Sequence, residues 1–103
     1  MEWTARHEGD EDGVYAISVA AEMVSMQVQN LRVYERRGLL EPLRTAGGTR
    51  RYSRADIRRL VRIRDLLADG LNLAGIERVL ALEEQLARLR RENERLRRRP
   101  TSH

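Results

Sequence analysis

The sequence predicts a mainly α-helical fold of four helices, with a small two-stranded β hairpin after the second and a coiled-coil character in the last. Three observations carry this. Apolar residues recur at helical spacing in four stretches between Val14 and Leu96. A Gly47-Gly48 pair between two short extended runs interrupts the helical pattern as a hairpin turn does. Val79, Leu82, Leu86, Leu89, Asn93 and Leu96 alternate by three and four, with Val79, Leu86 and Asn93 at heptad position a and the others at d. At 103 residues the chain has room for one small domain and one long helix.

Taken in order, residues 1–13 are acidic, glycine-containing and without apolar period, and are expected to form a disordered arm. Ser18 is the expected cap of a first short helix carrying Val19, Ala20, Met23 and Val24. Ser25-Met26-Gln27 breaks the pattern. A second helix then starts near Gln27 or Val28 and ends at Gly38, which suits a left-handed cap. Val28, Leu31 and Tyr34 face inward on it, and Gln29, Asn30, Arg32, Val33 and Arg36 form the other face. Two short helices joined by so brief a turn make a helix-turn-helix or, on spacing alone, an ordinary helical hairpin.

The hairpin that follows carries Arg44 before its glycines and Arg50, Arg51 and Tyr52 after them, which suits a wing lying along a phosphate backbone. Ser53-Arg54-Ala55-Asp56 reads as a capping box opening a third helix. Ile57, Leu60, Val61, Ile63, Leu66 and Leu67 form its apolar stripe, and Arg54, Arg58, Arg59 and Arg62 are expected to be mostly solvated. Gly70 ends that helix and Asn72 caps the fourth. The expected division is thus a winged helix-turn-helix over 14–71, a dimerisation helix over 72–99 and a tail over 100–103. The seam calls for self-association, because so short a chain cannot cover it. Asn93 within it either sets register or lies beyond the paired region in water. Charge pairing fits a parallel and an antiparallel coil equally.

Charge distribution narrows the function classes. From Arg32 to Arg64 there are eleven arginines against Glu35, Glu41 and Asp56, a local net of +8. Such density is the footprint of nucleic-acid binding, although a solvated arginine-rich face is the plain alternative. The chain has no cysteine and two histidines, His7 and His103. No disulfide, cysteine nucleophile or His/Cys metal site is therefore expected, and no cofactor. No apolar run approaches the ~18–20 residues of a membrane span. No paired carboxylates, nucleophile–base arrangement or phosphate-cradling loop stands out, so an enzyme is not expected. A cytoplasmic, nucleoid-associated protein with no membrane partner and no small-molecule effector is the reading.

Leu31-Arg32-Val33-Tyr34-Glu35-Arg36-Arg37-Gly38-Leu39-Leu40, followed by Gly48-Thr49-Arg50-Arg51-Tyr52-Ser53 and Asp56-Ile57, resembles the MerR family of bacterial transcription regulators. Val14-Tyr15-Ala16-Ile17-Ser18-Val19-Ala20-Ala21-Glu22 and Asn72-Leu73-Ala74-Gly75-Ile76-Glu77-Arg78 are similar to its heat-shock repressor (HspR) branch. Val33 stands where the family often has an aromatic residue, and Gln27-Val28 where Ser-Pro is common.

The resemblance implies a homodimer that reads inverted-repeat promoter DNA and represses, with a DnaK-type chaperone or RNA polymerase as further partners. The DNA-binding set it implies is Ser18, Gln29, Asn30, Arg32, Tyr34, Arg36, Arg44, Arg50, Arg51 and Tyr52. Gln29, Asn30 and Arg32 would reach base edges or adjacent phosphates. Tyr34 would either bond a phosphate or pack in the core with a polar tip. Arg50 and Tyr52 match wing positions that grip the backbone, and Arg51 is the alternative candidate for bracing the wing from within. The rivals are a promoter-distorting activator, an architectural, excisionase-like DNA-bending protein, and a coil that binds protein alone.

Overall fold

The computed structural model describes residues 14–99; the expected acidic arm and the four-residue tail lie outside them. Helix α1 spans Ile17–Met23 and α2 spans Val28–Arg36. Strands β1 (Leu43–Arg44) and β2 (Arg50–Arg51) follow, then α3 (Arg54–Ala68) and α4 (Leu73–Arg98). The described residues part into two compact units, 14–69 and 70–99.

Helix α1 starts earlier than its sequence suggests. Its N-cap is Ala16, with no side-chain cap bond, and Ser18 lies exposed inside the first turn, so the expected Ser18 cap is corrected. Ala20 and Ala21 are buried, and starting at Ile17 keeps Ile17 on that same face, three and four residues back. The entry is also held from outside the helix. Tyr15 N donates to Tyr52 O at 2.9 Å and Tyr52 N to Tyr15 O at 2.7 Å, pinning the approaching chain beside the wing.

Both helices of the pair end in the same way. Ser25 N donates to Glu22 O and Met26 N to Ala21 O, with Ser25 at φ 57°. Gly38 N donates to Glu35 O and Leu39 N to Tyr34 O, with Gly38 at φ 81°. Each is a Schellman closure, satisfying carbonyls that the last helical turn leaves open. Glycine adopts the left-handed position freely; Ser25 occupies it against the usual steric penalty.

Strands β1 and β2 pair antiparallel, Leu43 opposite Arg51 and Arg44 opposite Arg50. Thr45 N donates to Thr49 O, Gly48 N to Thr45 O, and Gly48 sits at φ 87°. This is the three-residue hairpin loop closed by a left-handed residue.

The expected capping box opens α3: Asp56 N donates to Ser53 Oγ at 3.0 Å and Ser53 N to Asp56 Oδ2 at 2.9 Å. Leu60, Ile63 and Leu66 are its buried residues. The apolar stripe is narrower than its sequence implies, for Leu67 is exposed and Ile57 and Val61 are half-buried. With Leu31, Tyr34, Val24, Leu39, Leu40 and Tyr52 they form the core of the first unit. Arg59, expected to be mostly solvated, instead donates from Nε to Leu39 O at 2.9 Å, and Arg64 donates to Val24 O at 3.1 Å. Two α3 arginines thereby hold the chain at the ends of α1 and α2.

In the second unit Asn72 caps α4, its Oδ1 accepting from Gly75 N at 2.8 Å. The helix has 26 residues, about 39 Å at ~1.5 Å per residue. Only Ile76 and Leu80 on it are buried. Val79 is half-buried, whereas Leu82, Leu86, Leu89, Asn93 and Leu96 are exposed. Arg95 pairs with Glu92 and Arg98 with Glu94 on its last turns.

Candidate nucleic-acid interface

The outer face of α2 carries Gln29, Asn30, Arg32 and Arg36, all exposed. Its inner face buries Leu31 and Tyr34, which fixes the helix's rotation and hence what it offers outward. Gln27 occupies the N-cap position without a side-chain cap bond, in keeping with the absence of a Ser, Thr, Asp or Asn there. The offered groups are two amides and two guanidiniums, able to make paired bonds to base edges or single bonds to phosphates.

Beside this helix the wing presents its arginines, organised by an acid that sequence reasoning passed over. Glu35, on the last turn of α2, accepts from Arg44 Nη2 at 2.8 Å through one oxygen. Its other oxygen accepts from Arg50 Nε. Arg44 also donates to Gly48 O at 3.1 Å, closing the loop onto its own strand. One carboxylate thus joins the recognition helix to both strands of the hairpin. The bond from Glu35 makes the Arg50 guanidinium hold its proton more tightly than usual. A signal was available in the sequence: Glu35 is one of only three acids among eleven arginines.

Arg51 is half-buried, and among the described residues no ion pair or side-chain hydrogen bond is assigned to it. The bracing proposed as an alternative for Arg51 is carried instead by Arg44 and Arg50 through Glu35. Both tyrosines are core residues. Tyr34 is buried, and burial pushes its hydroxyl pKa up. Tyr52 has no exposed surface, and its hydroxyl has no hydrogen-bond partner among the described residues. Burial, then the nearby Glu35 charge, raises its pKa. A side chain so enclosed cannot reach a phosphate, so the wing grip expected of Tyr52 is corrected to a packing role. Ser18 is exposed on α1 and Arg44 is half exposed on β1.

The order of helices, wing and long terminal helix is shared with a known family: residues 15–83 match the MerR HTH family regulatory proteins. The chain belongs to the MerR family. Among MerR-related proteins, it is 49% identical over 81 residues to a heat shock protein HspR of Streptomyces coelicolor, covering 78% of this chain and 54% of that protein. It is 35% identical to the transcriptional regulator TnrA of Bacillus subtilis, covering 81% of this chain and 76% of that one. The chain spans about half the length of the HspR and GlnR relatives, 54% and 55%. Among solved structures, a MerR regulator lacking the sensor domain and bound to promoter DNA, HiNmlR, superposes with a TM-score of 0.62 at 26% identity, covering 81% of this chain and 70% of that one. The lead(II) complex of PbrR691 from Ralstonia metallidurans gives 0.65 at 28% identity, covering 82% and 78%. TnrA and PbrR691 are transcription regulators by name, and the mainly helical fold is shared with the two solved structures.

Proposed function

We propose that this chain is a sequence-specific DNA-binding transcriptional repressor of the HspR kind, acting as a homodimer on inverted-repeat promoter DNA at the nucleoid. The observation that carries the proposal is the pairing of an exposed amide-and-arginine face on α2 with an arginine-bearing wing tied to that helix. A helix of this kind suits the major groove, and a basic hairpin beside it suits the flanking phosphates. Gln29, Asn30 and Arg32 are assigned to base edges or adjacent phosphates, and Arg36, Arg44, Arg50 and Arg51 to the backbone. The resemblance to the heat-shock repressor branch favours repression, and likeness to a MerR regulator bound to promoter DNA favours that kind of target. RNA polymerase and a DnaK-type chaperone are the further partners that likeness suggests.

The exposed seam Leu82, Leu86, Leu89 and Leu96 favours a discrete dimer over a monomer spaced along DNA. Two copies of one recognition helix related by a twofold axis read an inverted repeat. Selecting random duplexes with the pure protein, then measuring affinity for the recovered site against salt, tests the reading. An inverted repeat and a log–log slope of several units are expected. No selected sequence together with a flat salt response refutes it.

A further inference from the structure

Glu35 is an acid placed among groups that the proposed function assigns to phosphates. A carboxylate there costs affinity for any polyanion, so its presence needs a reason. The hairpin has two residues in each strand, and so small a ribbon is marginal by itself. Backbone bonds between Tyr15 and Tyr52 hold the base of the hairpin, and the bonds that tie its strands to α2 itself come from side chains. Glu35 takes one guanidinium from each strand, and its own side chain is only 18% exposed. The Arg44 side of the clasp is 47% exposed, where water screens an ion pair and leaves it a small net contribution to stability. The consequences of the clasp are geometric and electrostatic: the wing is held in register with α2, and one positive charge of two is cancelled.

We propose that Glu35 is a specificity-determining positioning residue: by clasping Arg44 and Arg50 it lets the wing engage phosphates only where α2 also fits its bases. A free wing would grip any backbone within reach, and a freed guanidinium would add to sequence-independent binding. The clasp suppresses both. It rests on the DNA-binding reading above, and extends it to how site and non-site are told apart.

The test compares Glu35→Gln and Glu35→Asp with the parent protein on the selected duplex and on a shuffled duplex of equal length, over a salt series. Gln keeps the shape and removes the charge. For it the shuffled-duplex slope is expected to steepen by roughly one unit, about one more phosphate neutralised, and the site-to-shuffled ratio to fall about tenfold. An unchanged ratio overturns the proposal. An unchanged slope for the Gln variant overturns the charge cancellation ascribed to the clasp, whatever the ratio does. Asp keeps the charge but is one methylene shorter; its slope should match the parent while its ratio falls, and a parental ratio overturns the positioning role. Helix content is followed by circular dichroism, and the Asp arm stands if the Gln variant does not fold. A parent protein whose binding ignores salt refutes DNA binding itself, a distinct failure.

Discussion

Replacing Leu89 with Ala is the most direct test of the seam on α4. Leu89 is 66% exposed, the most open of the large apolar residues there, with Leu82 next at 61%. The substitution removes three carbons, each worth about 0.8 kcal/mol when fully buried, so about 2.4 kcal/mol in all. Two thirds of that surface is open to be covered by a partner, giving about 1.6 kcal/mol per copy and about 3.2 kcal/mol per dimer. At about 1.4 kcal/mol per decade, the dimer dissociation constant should rise roughly 200-fold. Alanine is the best helix former, so α4 itself should persist, and circular dichroism checks this. Sedimentation equilibrium over a concentration series reads the constant directly. Because the lost contacts are apolar, the effect should hold at high salt. A change below threefold, or a parent protein that stays monomeric at tens of micromolar, would show that Leu89 is not at a dimer interface.

Other expectations concern the DNA-binding unit. Ser25→Gly relieves a left-handed residue in the turn of the helix pair and should stabilise the protein by about 0.5–1 kcal/mol in urea unfolding; a loss of stability contradicts the strain. Ser53→Ala removes the accepting half of the α3 capping box and should cost about 1 kcal/mol, read in the same unfolding curves. Tyr52→Phe deletes a buried hydroxyl without a partner and should be neutral or stabilising by about 1 kcal/mol, with DNA affinity changed less than twofold. A large loss of affinity would restore Tyr52 to the phosphate contacts. The pH dependence has a definite sign. Burial raises the Tyr34 and Tyr52 pKa values above their unfolded value of 10.0. Their contribution is therefore complete below pH 10 and lost as pH rises through the folded values. Alkaline titration of the Tyr52→Phe protein should show a shallower loss than the parent.

Much of the fold is legible along the chain because its signals are local. Gly38, Gly48 and Gly70 mark left-handed positions, Ser53 and Asp56 satisfy each other within one turn, and Asn72 caps the residue three ahead. Periodicity places the buried Leu31 and Tyr34 on one side of α2 and leaves Gln29, Asn30 and Arg32 on the other. Capping failed as a guide at Ser18, where packing of Ile17 alongside Ala20 and Ala21 and the Tyr15–Tyr52 bridge outweigh a single hydroxyl.

What the sequence by itself determined, then, is the order of helices and wing, the outward face of α2, the basic middle and the heptad seam, since each follows from spacing of a few residues. Only the tertiary structure decided which long side chains meet. Glu35 reaches Arg44 and Arg50, nine and fifteen residues on, because the hairpin folds back beside the last turn of α2. Arg59 and Arg64 reach carbonyls twenty and forty residues away because α3 crosses both helix ends. Tyr52 turns into the core because its backbone is paired with Tyr15. Arginine and glutamate have many rotamers and no preferred partner in the chain, so their pairings are set by where the backbone brings them. That is a property of the assembled fold.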